Sequence, residues 1–137
     1  MKADPLGMVL YDHEAPEHER LVKKVLSAFS DCSVLDVACG YGRFASVFSP
    51  DKYLGIDFSE AMVALGKERN PDYKFKQIDV RSEEIPEKFD VVMSVISLSS
   101  LQMTAQEFLE RFKRNAKKFV VCCEKDEFFI FPIYDNR

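Results

Sequence analysis

Apolar residues fall along this chain in short runs whose spacing switches between two periods, and the switches set the expected order of elements. From Pro16 onward, Leu21, Val22, Val25, Leu26 and Phe29 recur at helical spacing and predict a leading helix over 16–30. Pro16 suits a first turn, and Glu17 and Glu19 complement its dipole. Val34 to Val37 then reads as a buried strand running into a turn of small residues, Ala38 to Gly42, with Arg43 to Phe48 expected as a short helix. Ser49-Pro50-Asp51 breaks the chain ahead of a second strand, Tyr53 to Asp57. Ser59 is placed to cap a helix over 60–69 that turns Met62, Val63 and Leu65 toward the sheet, and Asn70-Pro71-Asp72 stops it.

Tyr73 to Ile78 alternates polar and apolar residues, which predicts a half-buried strand. Phe89 to Val95 is more continuously apolar, as expected of a strand covered on both faces, and the stretch between, 81–88, is too short and proline-interrupted for a long helix. Thr104-Ala105-Gln106-Glu107 matches a capping box opening a helix through about Asn115, with Ala105, Phe108, Leu109 and Phe112 inward. Phe119 to Cys123 is a fifth strand. Pro132 restricts the last apolar run, Phe128 to Tyr134, to an edge or an irregular end, and Lys125-Asp126-Glu127 could return it antiparallel beside the fifth strand. The pattern predicts an α/β fold: a doubly wound, mostly parallel sheet of five to six strands with helices on both faces. One domain is expected over 1–137, made of an arm (1–15), the leading helix (16–30), a core (33–124) and an edge strand or tail (125–137).

Composition narrows the function classes. A chain of 137 residues holds one core, and 47% hydrophobic with 31% charged residues excludes disorder. No apolar run approaches the ~20 residues of a membrane helix, and Met1 to Leu10 carries no secretory signal, so a cytoplasmic protein with no membrane partner is expected. A net charge of −4 gives no overall field for nucleic acid, and the basic clusters Arg111 to Lys118 and Lys23-Lys24 read as solvated faces. Cys32, Cys39, Cys122 and Cys123 show no C-x-x-C spacing and only His13 and His18 could join them, so no metal site is expected and the thiols read as reduced.

Candidate chemistry gathers at three strand ends. Asp36, Asp57 and Asp79 each close a predicted strand, and ligands of parallel sheets bind outside the strands' carboxyl ends. Two readings of the turn between Asp36 and Ala45 compete. Gly40-Tyr41-Gly42-Arg43-Phe44-Ala45 fits the G-x-G-x-x-A dinucleotide fingerprint. Asp36 opposes it, because a carboxylate just ahead of the turn repels a pyrophosphate and suits a cationic amine.

The stretch Asp36-Val37-Ala38-Cys39-Gly40-Tyr41-Gly42 resembles motif I of the class I S-adenosylmethionine-dependent methyltransferases, with Ala38 where that family more often has its first glycine. The resemblance covers Val34 to Glu124 and implies a Rossmann-like methyltransferase fold with a shortened C-terminal part and S-adenosyl-L-methionine as cofactor. It further implies that Asp36 lies near the cofactor's amino acid end, with Ala38, Gly40 and Gly42 beside the sugar. Asp57 would accept both ribose hydroxyls, with Phe58 against the adenine. Asp79 would accept from the adenine amino group, with the Val80 N–H toward a ring nitrogen, and Ser94 falls where a main-chain carbonyl faces the amino acid moiety. No catalytic residue is assigned. Tyr11 and His13 in the arm could approach the methyl, although surface decoration is the commoner fate of such residues.

Two departures from that family stand out. Leu98-Ser99-Ser100-Leu101 replaces a leucine followed by paired histidines, and one apolar run replaces two further antiparallel strands. The second implies that another copy, or a partner protein, completes the sheet edge. No N-P-P-Y-like motif follows the fourth strand, which counts against methylation of nucleic-acid bases. The expected function is methyl transfer to a small molecule or a partner-presented substrate. The alternatives are a non-catalytic S-adenosylmethionine-binding subunit and an NAD-dependent oxidoreductase.

Overall fold

Period-two alternation puts neighbouring side chains of a strand on opposite faces, so a sheet built from these runs must be covered twice. The computed structural model describes residues 2–3, 9–10, 15–125 and 127–134. Two short strands, β1 (Lys2–Ala3) and β2 (Val9–Leu10), pair antiparallel as a ribbon within the expected arm; Tyr11 and His13 lie outside the described residues. The main sheet comprises β3 (Val34–Val37), β4 (Tyr53–Asp57), β5 (Lys74–Gln77), β6 (Phe89–Val95), β7 (Ala116–Glu124) and β8 (Glu127–Pro132), in the order β5-β4-β3-β6-β7-β8. All neighbours are parallel except β7 and β8, so the sheet is mixed at one edge.

Val34, Tyr53, Phe75, Val91, Met93 and Val121 face one side. There they pack against Val22 and Leu26 of α1 (Ala15–Leu26), Phe29 of its 3₁₀ extension, and Val63 of α2 (Glu60–Arg69). Leu35, Val37, Leu54, Ile56, Val92 and Val120 face the other side, under α3 (Leu98–Leu101) and α4 (Ala105–Phe112), whose Phe108 and Phe112 are fully buried. One apolar core lies on each face of the sheet, which is the doubly wound arrangement.

The predicted caps are present. Ser59 Oγ accepts the Met62 N–H at 3.2 Å, and Thr104 and Glu107 bond reciprocally. Several expectations need correction. Leu21 lies on the exposed side of α1, and α3 is a short helix the apolar pattern did not predict. Arg43 to Phe48 holds only a 3₁₀ turn, Ala45–Val47, because Gly42 N–H donates to Cys39 O and Ala45 N–H to Gly42 O, closing tight turns instead of a helix. Arg111 is not purely solvated: its Nη2 donates to the Val80 and Glu83 carbonyls, each at 3.0 Å. With Asn115 Nδ2 bonded to the Ile85 and Glu87 carbonyls, it ties the irregular segment between β5 and β6 to the end of α4.

Pro132 is tolerated for a geometric reason. Ile133 N–H donates to Lys118 O at 2.8 Å, so by alternation residues 128, 130 and 132 turn their backbone groups to the open edge, where a missing N–H costs no ladder bond. Among the described residues, no helix is long and apolar enough to cross a membrane, and no cluster of His, Cys, Asp or Glu could hold a metal ion.

Candidate functional site

The winding of the sheet reverses between β3 and β6. Successive units run β3, β4, β5 in one direction and β6, β7 in the other, which opens a crevice above the strands' carboxyl ends. One cleft lies along that rim. Ala38 follows β3; Asp57 and Phe58 end β4; Ile78, Asp79, Val80 and Arg81 follow β5; Ser100 and Leu101 of α3 close the far side.

Asp57 organises the rim. Its Oδ2 accepts the Gly40 N–H at 2.8 Å and its Oδ1 accepts the Ser59 N–H at 2.9 Å, which joins the β3 turn to the start of α2 through one buried carboxylate. Each oxygen keeps a further lone pair for a ligand. Ala38 holds a left-handed backbone, φ 57°, where a Cβ is disfavoured, and Gly40 follows at φ 60°. A Cβ on Gly40 would meet nothing nearer than Met62 Sδ at 3.8 Å, so its backbone angle, not crowding, calls for glycine there.

Gly42, at φ 77°, also holds a left-handed backbone, and a Cβ there would lie 2.5 Å from Phe75 Cζ, so the missing side chain also makes room for a core ring. Gly55 and Gly66 border the same ring, with Cβ positions 2.9 and 3.0 Å from Phe75 Cδ1. Phe75 thus fills a socket of three glycines, from the motif turn, β4 and α2, and pins the turn to the sheet.

Asp36 is 3% exposed and does not line the cleft. The Tyr53 hydroxyl donates to its Oδ2 at 2.6 Å. Burial, only partly opposed by that hydrogen bond and reinforced by the nearby Asp57, raises the Asp36 carboxyl from its ordinary 3.8 to about 7. Burial also lifts the Cys39 thiol and the Tyr53 phenol well above their usual ranges, with Asp36 the next cause in both.

Ser94 is fully buried, its Oγ 2.5 Å from Ser97 Oγ, which in turn donates to the Val37 carbonyl. It therefore ties β6 to β3 beneath the turn. Ile96, just beyond, has φ 56° and is anchored by its N–H to Cys123 O. Asp79 lies at the rim of the cleft, with its carboxylate engaged by Arg81. Arg81 Nε and Nη2 fork onto its two carboxylate oxygens at 3.1 and 3.3 Å, holding it below the usual carboxylate range, while the guanidinium sits 5.5 Å from the centre of the Phe58 ring.

Of the residues named from sequence, Ala38, Asp57, Phe58, Asp79 and Val80 share the cleft, and Gly40 is bonded to it through Asp57. Asp36, Gly42 and Ser94 lie beneath or beside it. Tyr53, Phe75, Ser97 and Arg81 were not anticipated. Of these only Arg81, two residues from Asp79, left a local signal.

A sheet that reverses at β3 and β6, with a strand-end carboxylate at the reversal, defines a doubly wound α/β domain. The chain belongs to the methyltransferase-domain family, whose model matches residues 34–118. It is 32% identical over 104 residues to a dTDP-4-amino-2,3,4,6-tetradeoxy-D-glucose N,N-dimethyltransferase of Saccharopolyspora spinosa, covering 74% of this chain and 41% of that protein. It is also 32% identical over 77 residues to putative methyltransferase 235L of Invertebrate iridescent virus 6, covering 53% of this chain and 29% of the other. Among solved structures it is similar to Streptomyces venezuelae DesVI, with TM-score 0.59 and 24% identity over 80% of this chain and 50% of that one. It is likewise similar to CalS10, an amino pentose methyltransferase of Micromonospora echinaspora solved with bound SAM, with TM-score 0.59 and 20% identity over 84% of this chain and 56% of that one. The chain spans less than half the length of these two sequence relatives and about half that of these two structures.

Proposed function

We propose that this domain binds S-adenosyl-L-methionine along the carboxyl rim and serves methyl transfer to a small molecule or a partner-presented acceptor. The observation that carries the reading is the single cleft that joins Ala38, Asp57, Phe58, Asp79 and Val80 from the ends of three adjacent strands. Those residues fit the group. Asp57 is held by two backbone N–H groups with lone pairs left for vicinal hydroxyls, Phe58 is 56% exposed and offers a stacking face, and Asp79 can accept from an exocyclic amine. Asp36 lies outside the cleft, buried beneath the turn, so any bearing it has on a cationic amine is through the turn above it. A small-molecule acceptor is favoured by the sugar N,N-dimethyltransferase among the relatives.

When bound, the cofactor supplies a methyl on a positively charged sulfur that leaves as a neutral thioether. The chain's task is then to hold and align the two partners and to exclude water, and a strong base is not required. The dinucleotide reading loses its main support, since the G-x-G turn leads into a 3₁₀ turn rather than a helix whose N-terminus could receive a pyrophosphate.

Asp57→Ala is expected to weaken S-adenosylhomocysteine binding by about 1–3 kcal/mol in calorimetric titration. Unchanged affinity would remove Asp57 from the site. An acceptor screen with labelled donor separates enzyme from binding subunit: transfer to a small molecule supports the reading, whereas binding without transfer to any acceptor favours the non-catalytic alternative.

As part of the same reading we place the protein in the cytoplasm, where reduced thiols such as Cys32, Cys39 and Cys122 persist. Among the described residues no strand pairs with the outer edge of β8, and we assign that edge to a second copy of this chain. Ile130 and Phe129 are 44% and 38% exposed there, and two β8 edges meeting antiparallel about Ile130 would pair the outward N–H groups of 128 and 130 with the carbonyls of 132 and 130. Light scattering should give a dimer that Ile130→Lys converts to monomer; a monomeric wild type contradicts the assignment.

A further inference from the structure

Arg81 holds a position that the proposed cofactor needs. Two groups on the rim suit a purine: the Asp79 carboxylate, for an exocyclic amine, and the face of Phe58, for stacking. Both are engaged by the same guanidinium, which forks onto Asp79 Oδ1 and Oδ2 and lies over the Phe58 ring. The Arg81 N–H also donates to Asp79 Oδ1 at 3.0 Å, and Glu83 Oε1 accepts the Asp79 N–H at 3.2 Å, so the segment is folded back on itself over the cleft. A planar, delocalised cation is the side chain best able to imitate a flat base with donor groups on its edge. Its contacts with Phe58 and Asp79 have the chemistry of a stacked, hydrogen-bonded adenine.

Building on the proposed function, we propose that Arg81 is an intramolecular competitor for the adenine subsite, displaced when the nucleoside binds, and that it thereby sets cofactor affinity. The Asp79 and Arg81 side chains are 36% and 55% exposed, so the pair is weak and readily exchanged; a buried pair would block the site instead of tuning it. Screening by salt weakens the fork further and frees the subsite. S-adenosylhomocysteine, which carries no sulfonium charge, is the appropriate probe because its own electrostatic attraction to the rim is small.

The test is calorimetric titration of the full chain with S-adenosylhomocysteine, in wild type and in Arg81→Met, at low and high salt. Methionine keeps an unbranched apolar stem and removes the fork. Arg81→Met should bind about three- to tenfold more tightly than wild type at low salt, the size expected for releasing one exposed, ring-stacked ion pair. Wild-type affinity should rise with salt toward that of the variant, whose own affinity should change little. In the wild type, the Arg81 Nε–Hε resonance should move on saturation, as the guanidinium leaves Asp79. Equal or weaker binding by Arg81→Met, with wild type still binding, overturns the inference and leaves the cofactor assignment standing. Absence of binding by both proteins sinks the cofactor assignment and the inference with it.

Discussion

Replacing Phe75 with alanine should destabilise the fold by about 3–5 kcal/mol, the range for truncating a buried aromatic whose surroundings do not collapse. The surroundings cannot close easily here, because three of the walls are glycines with no side chain to move inward. Cβ positions built on Gly42, Gly55 and Gly66 come within 2.5, 2.9 and 3.0 Å of the ring, and Tyr53 meets it at 5.9 Å between centroids. Urea unfolding measures the loss, and a cycle with Gly66→Ala gives it a sign. Alone, Gly66→Ala crowds the ring and should forfeit much of the ~1 kcal/mol that alanine gains over glycine inside a helix; in the Phe75→Ala background it should show that gain in full and restore part of the lost stability by filling the space. The same truncation frees the motif turn from the sheet, so S-adenosylhomocysteine affinity should fall although Phe75 does not line the cleft. A loss below about 1 kcal/mol, or additive behaviour of the two substitutions, would show that the socket does not anchor the turn.

Asp36→Asn should have the opposite effect on stability and a strong pH dependence. In the folded chain burial moves this carboxyl from 3.8 to about 7. Below pH 3.8 folded and unfolded chains both hold the proton, and the folded state bears no penalty. As pH rises from 3.8 to about 7 the unfolded chain releases a proton that the folded chain retains, so stability falls, and above about 7 the loss is complete. Its full size is at most about 4 kcal/mol, from the free energy per tenfold change in proton affinity. Asparagine carries no such cost and can still accept from the Tyr53 hydroxyl, so Asp36→Asn should be markedly more stable than wild type at pH 8 and close to it at pH 4. The substitution should also weaken binding of the amine-bearing cofactor. A gain in stability coupled to a loss of binding is what a carboxylate kept for function predicts. Equal effects at both pH values would contradict it.

The fold was largely legible because local signals agreed with the global arrangement. Short apolar runs marked β3, β4, β6, β7 and β8 and alternation marked β5, the Ser59 and Thr104 caps fixed two helix starts, and of the two fates open to the Pro132 run the edge is the one observed. Errors came where local chemistry is ambiguous. Arg43 to Phe48 has helical composition, yet the turns closed by Gly42 and Cys39 leave only a single 3₁₀ turn. Leu98 to Leu101 is too short for a periodic signal, and forms a helix because Ser97, bonded to β3, and Glu124, accepting the Leu98 N–H at 2.7 Å, fix its start.

At the candidate site, strand-end aspartates could be found from spacing, since each closes an apolar run. What each carboxylate touches could not. Asp36 meets Tyr53 and Asp57 meets Gly40 at a separation of 17 residues in each case, so only the folded sheet brings them together. Gly42 shows the limit most clearly. A glycine in a G-x-G turn looks the same whether its left-handed backbone, a ligand or a ring from another strand calls for it, and only the folded sheet shows that Phe75 packs against Gly42.

The most direct test of the cofactor assignment is a titration of the isotopically labelled chain with S-adenosylhomocysteine and, separately, with NAD, followed through the backbone amides. The thioether should give saturable shifts concentrated at Ala38, Gly40, Phe58 and Val80, while NAD leaves those amides unchanged. Saturable movement with NAD, or a thioether titration that leaves those four amides unmoved, would contradict a nucleoside site on the carboxyl rim.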